Sequence, residues 1–284
     1  MCELSKEDEK LASEIAENIK NIKKGDWKFL FCQLPEFKMI PKFMKPPEDK
    51  ENSKTKNVPF GRKAVILILG ALNDYRVRDN CYWKKFYKAI NENVRTLHGL
   101  KISLREVYCG KDTNEQEKKR LQKCKRMEKF LKSQLAKELW ETKDIDYFIN
   151  NFDTIWLKLS MCMDNSPLSK TILLAIKDLA LLIFLHDRDF PRSRCFNEVG
   201  IAVDRRIRRF TESCLDRENL RDEEIQRFWR KVREKVSKVS PNVTWVHLDT
   251  LIWHVASSRN QGCILENKEN LKKVIRELFK SNEQ

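Results

Sequence analysis

Several easy readings are closed by what the chain has little of. Glycine is scarce, at 7 of 284 residues, so tight turns and glycine-rich phosphate cradles are few. No apolar run reaches the roughly twenty residues that a membrane-spanning helix needs. The longest, residues 171–185, is interrupted by Lys177 and Asp178. The first ten residues are polar and acidic, without the apolar stretch of a secretory signal. A cytoplasmic protein with no membrane partner is therefore expected. There is no C-x-x-C pair, and the nine cysteines are odd in number and scattered, which argues against a disulfide framework and a zinc site. His98, His186, His247 and His254 are dispersed, and no pair has metal-ligand spacing. No metal and no cofactor is expected.

What is abundant is positive charge. Lysine and arginine number 57 against 42 acidic residues, a net charge of +15. Such an excess attracts polyanions, with nucleic acid or nucleotides foremost. Arg205, Arg206, Arg208 and Arg209 form a basic helical patch, which reads as a nucleic-acid contact or as a solvated face. Hydrophobic residues, at 41%, suffice for a sizeable core.

Residues 1–58 read as an N-terminal helical extension and linker. Leu11, Ile15, Ile19 and Ile22 make one stripe of a helix over 4–24, and residues 35–59 are rich in proline. Residues 59–284 read as one α/β domain with a helical insertion at about 112–170. Continuous or β-branched apolar runs predict strands at 64–69, 101–108, 179–185 and 243–248. Amphipathic patterns predict helices at 82–97, 112–141, 144–163, 197–209, 222–238, 251–257 and 268–279. The alternation predicts a flavodoxin-like α/β fold. Four to five parallel strands, in order 2-1-3-4, would carry helices on both faces, with helical additions.

In such a sheet the ends of the strands form one rim, where ligands bind. The first strand would bring Gly70, Asn73 and Asp79 there; the central strand would bring Asp187, Ser193, Arg194 and Glu198. Arginine suits phosphate, and a carboxylate suits a nucleophile, a base or a partner for sugar hydroxyls. His186, beside Asp187, is a candidate general acid or base. His247, in an apolar run, reads as a core residue.

The segment KDLALLIFLHDRDFPRSRCFNEVGIAV resembles the signature of nucleoside 2-deoxyribosyltransferases and related nucleotide N-glycosidases, including TIR-like NAD-cleaving domains. Asp178 stands at the first acidic place, Asp187 after the apolar run, Ser193 at the serine and Glu198 at the glutamate. Gly70-Ala71-Leu72 resembles that family's Gly-Pro-Leu turn. Arg192 and Arg194 depart from it, standing where the signature has Asp and Gly. The resemblance implies cleavage or transfer of an N-glycosidic bond in a nucleoside, nucleotide or NAD-like molecule. Glu198 would be the nucleophile, and Asp187 would orient the ribose or help protonate the leaving base. Gly70, Asn73, Asp79, Asp178, Ser193 and Arg194 would bind substrate. Sites completed across subunits would make a homo-oligomer. The alternative is a non-catalytic nucleotide-sensing or nucleic-acid-binding α/β module.

Overall fold

Residues 64–69 lie in a helix, α4 (Phe60–Asn73), and residues 179–185 lie in another, α11 (Lys170–Leu185). The computed structural model describes residues 4–20, 22–46, 58–74, 82–90, 94–109, 117–186, 188–190, 201 and 203–257. Among these residues there is no strand. The flavodoxin-like α/β fold with its parallel sheet is thereby overturned, and the architecture is helical.

The physical reason is the environment of the apolar runs. A run without polar interruption looks the same whether it is a strand covered on both faces or a helix covered all round. In α4 every residue but Arg62 is buried, and α11 is buried from Ala175 to Leu185. Neither keeps the polar stripe by which a surface helix is recognised. The other two expected strands fall in α6 (Leu97–Cys109) and mostly in α14 (Trp245–Ser257).

The chain divides into two compact units, residues 1–34 with 194–284, and residues 35–193. In the first, α1 (Lys6–Ile19) lies against α13 (Asp222–Val239), while α14 touches α2 (Lys24–Cys32) and α12 (Arg205–Leu215). Ser5 and Asp8 form a capping box at the start of α1. The buried Asp8 carboxylate also accepts hydrogen bonds from Arg217 at 2.7 and 2.8 Å. α13 is amphipathic as its spacing predicts, burying Ile225, Phe228, Trp229, Val232 and Val236. His247 is packed by Trp27 and Phe31, and its Nδ1 accepts from the Thr244 backbone N–H at 3.0 Å. Burial pushes its pKa down to about 3, so it is a neutral core side chain.

The second unit holds α3 (Pro35–Lys38), α4, α5 (Tyr82–Lys88), α6, α7 (Glu117–Lys132), α8 (Gln134–Glu141), α9 (Ile145–Asn150), α10 (Phe152–Cys162) and α11. α4 is its axis, packed by α11, α8 and α7. Gly61 permits the close approach of α4 to α8, since a Cβ there would stand 1.8 Å from the Leu139 carbonyl oxygen. Gly70 leaves room for the Trp83 ring, which a Cβ would meet at 2.4 Å. The expected helix over 112–141 is divided at Ser133, whose hydroxyl caps α8 by accepting from Ala136 N at 3.1 Å.

Cys124 and Cys214 each take part in a disulfide, while Cys162 is a free thiol. Spacing along a chain does not reveal which thiols meet in space, which is why the scattered cysteines misled. The helix expected at 268–279 lies outside the described residues. Among those described, no helix is long and apolar enough to cross a membrane.

Candidate functional site

In the first unit, Asp204 sits in extended backbone just before α12 and caps it. Its Oδ1 accepts from the N–H groups of Arg206 and Ile207 at 2.8 and 2.9 Å. One oxygen therefore anchors the carboxylate. The other, Oδ2, faces the Arg206 guanidinium at 3.5 Å. That guanidinium lies over the half-buried Trp253 ring on α14, 5.2 Å from its centroid. The Asp204 side chain is 22% exposed and Arg206 51%. A fixed carboxylate thus stands close to a partly open aromatic plate.

The buried face of α12 holds this arrangement in place. Ile207, Phe210, Thr211 and Cys214 point inward. Trp229 Nε1 donates to Thr211 Oγ1 at 2.8 Å, and that hydroxyl donates to the Ile207 carbonyl at 2.8 Å. Phe210 stacks on Trp229. With that side locked, the opposite side exposes Arg205 and Arg209, one helical turn apart.

In the second unit, α10 and α11 form a helical hairpin. Asp164 is left-handed at φ 47°, and Asn165 N donates to the Ser160 carbonyl at 3.0 Å, closing the end of α10. Trp156 Nε1 donates to the Pro167 carbonyl at 2.9 Å and ties the turn to α10. Ser169 precedes α11, but its hydroxyl makes no cap; Oγ is buried without a hydrogen-bond partner. The start of this 16-residue helix is therefore not closed by a side chain, and such a helix end attracts anions, phosphate among them. Lys170, its first residue, is exposed there.

Of the residues expected to bind substrate, Gly70 and Asn73 are buried in α4 and Asp178 is buried in α11. Asn73 Nδ2 donates to the Leu69 carbonyl at 3.1 Å. Asp79, Asp187, Ser193, Arg194 and Glu198 lie outside the described residues. Asp204 was missed because a helix over 197–209 puts it mid-helix. The available signal was an aspartate directly before an amphipathic run, the mark of a helix start. Trp253 is half-buried beside a charge pair. Among the described residues, no cluster of three His, Cys, Asp or Glu could hold a metal ion.

His186 has a structural tie instead of an open position. Its Nδ1 is 2.9 Å from the Leu182 carbonyl, which can only accept, so Nδ1 carries the proton. Nε2 then accepts from the buried Lys63 Nζ at 3.2 Å, and Lys63 also donates to the Lys45 carbonyl at 3.1 Å. Burial pushes the Lys63 pKa down to about 8 from 10.5. Between those values the unfolded chain holds the proton and the folded chain has released it, so stability rises with pH across that window. Urea titrations of wild type and Lys63→Met from pH 7.5 to 10.5 are expected to show wild type gaining about 2–3 kcal/mol on the variant. Parallel pH profiles would contradict this.

No curated protein matches the chain. A crystal structure from Pyrobaculum aerophilum, of an 8-oxoguanine DNA glycosylase complexed with 8-oxoguanosine, is similar to it in fold. The identity is 18%, with 95% of this chain and 96% of that one covered and a TM-score of 0.61. Residues 16–284 match the sequence model of the AGOG family, described as N-glycosylase/DNA lyase. The resemblance to nucleoside 2-deoxyribosyltransferases and TIR-like domains is overturned by both findings. Its motif needs an apolar strand before the acidic loop, and that run is helix α11. With the family match spanning almost the whole length, the chain belongs to the AGOG family of N-glycosylase/DNA lyases.

Proposed function

We propose that this protein removes an oxidised purine of the 8-oxoguanine kind from DNA and then cleaves the strand at the abasic sugar. The observation that carries the reading is the Asp204 carboxylate, anchored through Oδ1 and placed beside the Trp253 plate. It is supported by the family description and by the substrate named for the similar Pyrobaculum protein.

The chemistry follows from these groups. Breaking the N-glycosidic bond sends its electron pair to the base and leaves positive charge on the sugar at C1′. Asp204 Oδ2 would stabilise that charge, as carboxylates do in glycoside cleavage. Trp253 would stack the base, since every base presents a π-face. The lyase step needs an amine that forms a Schiff base at C1′. Loss of a C2′ proton then expels the 3′ phosphate, and water releases the amine. Lys170 is the candidate for this amine. It is exposed at a helix end suited to a DNA phosphate, whereas Lys63 is 3% exposed.

The test is a duplex with a single 8-oxoguanine, followed for base release by chromatography and for strand breaks by gel, with an undamaged duplex as control. Release and breakage on the damaged strand are expected. DNA binding without either product would leave a nucleic-acid-binding module and overturn the enzymatic reading.

Arg205 and Arg209 suit the phosphate backbone. Like charges one turn apart repel, and a polyanion relieves that repulsion. Replacing both with alanine is expected to lower the slope of log Kobs against log salt by about 1.8, or about 0.9 for each lost phosphate contact. An unchanged slope would show that these arginines only solvate the helix.

A further inference from the structure

Arg206 occupies the place that a base would need. Its guanidinium is planar, lies over the Trp253 ring at 5.2 Å, and faces Asp204 Oδ2 at 3.5 Å. A ring face has room for one stacked partner at a time. A base arriving on this face must first displace the guanidinium, which also takes the cation off the carboxylate. The side chain is 51% exposed, so it has solvent to move into. Its backbone N–H stays bound to Asp204 Oδ1, so the carboxylate keeps its anchor while the guanidinium leaves.

We infer that Arg206 is a displaceable cover on the base-stacking face of Trp253, closing the plate and neutralising Asp204 until a base takes its place. The inference rests on the reading of Trp253 as a base platform given above. Within that reading, Arg206 lowers the affinity of every base by the same factor, so that weak stackers bind too poorly to hold the site open. A ligand opens the site when its stacking outweighs the cation–π contact, and opening it takes the Arg206 guanidinium off Oδ2. A large, polarisable purine does this better than a small pyrimidine. Poorly stacking occupants leave the carboxylate covered.

The test uses the full-length protein and 8-oxoguanosine, a nucleoside without phosphate, so that lost phosphate contacts do not contribute. Affinities are measured calorimetrically for wild type, Arg206→Ala and Trp253→Ala. Removal of the cover is expected to tighten Arg206→Ala by about 3- to 30-fold, the range spanned by cation–π contacts at partly exposed sites. Trp253→Ala is expected to bind far more weakly than wild type. Equal or weaker binding by Arg206→Ala, with Trp253→Ala still weakened, would overturn the cover and leave the platform standing. Binding by Trp253→Ala as tight as wild type would instead remove the platform itself. Cytidine supplies a further reading. Its affinity should gain by the same factor from Arg206→Ala as that of 8-oxoguanosine, because each base has to displace the same contact; an unchanged cytidine affinity would overturn the cover.

Discussion

Lys170→Ala is expected to abolish the covalent adduct that borohydride forms between this protein and DNA containing an abasic site. Borohydride fixes the protein to the DNA only by reducing an imine between an amine and the sugar aldehyde, so the adduct reports the amine directly. Strand cleavage at the same site should fall at least ~10²-fold, as removal of a nucleophile does elsewhere. Alanine is the strongest helix former and Lys170 is exposed, so α11 and the fold should persist, which circular dichroism would verify. The residual reaction is informative. If base release survives while cleavage is lost, the two half-reactions depend on different groups. Adduct formation at the wild-type level in Lys170→Ala would assign the amine to another residue.

Asp204→Asn is expected to lower base release by roughly 10²–10³-fold, the cost of removing a group that stabilises transition-state charge. The asparagine is chosen because its Oδ1 can still accept from Arg206 N and Ile207 N, as Asp204 Oδ1 does at 2.8 and 2.9 Å. Asparagine caps a helix about as well as aspartate. The thermal midpoint should therefore move little while the rate collapses. Asp204→Ala would instead lose about 1 kcal/mol of cap as well. Comparing the two separates the cap from the charge. If Asp204→Asn releases base at the wild-type rate, Asp204 is only a cap. Adduct formation with a pre-formed abasic site offers a second distinction, since there the N-glycosidic bond is already broken. The variant should trap that substrate far better than it releases base.

The contrast between these residues and those first expected at the site is physical. Glu198 and Asp187 came from a local pattern, an apolar run followed by an acidic loop. That pattern carries meaning only if the run is a strand whose end opens onto a rim. Once residues 179–185 are helix, their place in the fold has to be found anew. Asp204 left a local trace, since a helix-capping aspartate is visible in the chain. Its proximity to Trp253, 49 positions later, left none. The expectation of N-glycosidic chemistry agrees with the family description, but the family and the kind of substrate first inferred differ from it.

By itself the sequence determined the basic charge, the scarcity of glycine, and the amphipathic helices α1 and α13. The stripe of α13 is the clearest case, with five apolar residues on one face and charges on the rest. It also marked the core character of His247. Tertiary structure alone decided that the most apolar segments are helices. An isolated run such as residues 64–69 meets both a helix and a strand with the same hydrophobic gain, because burial depends on area removed from water and not on backbone shape. The choice is made by what surrounds it. Gly61 lets α8 approach, Gly70 admits the Trp83 ring, and α11 covers another side, so α4 satisfies its own backbone hydrogen bonds inside a helical shell.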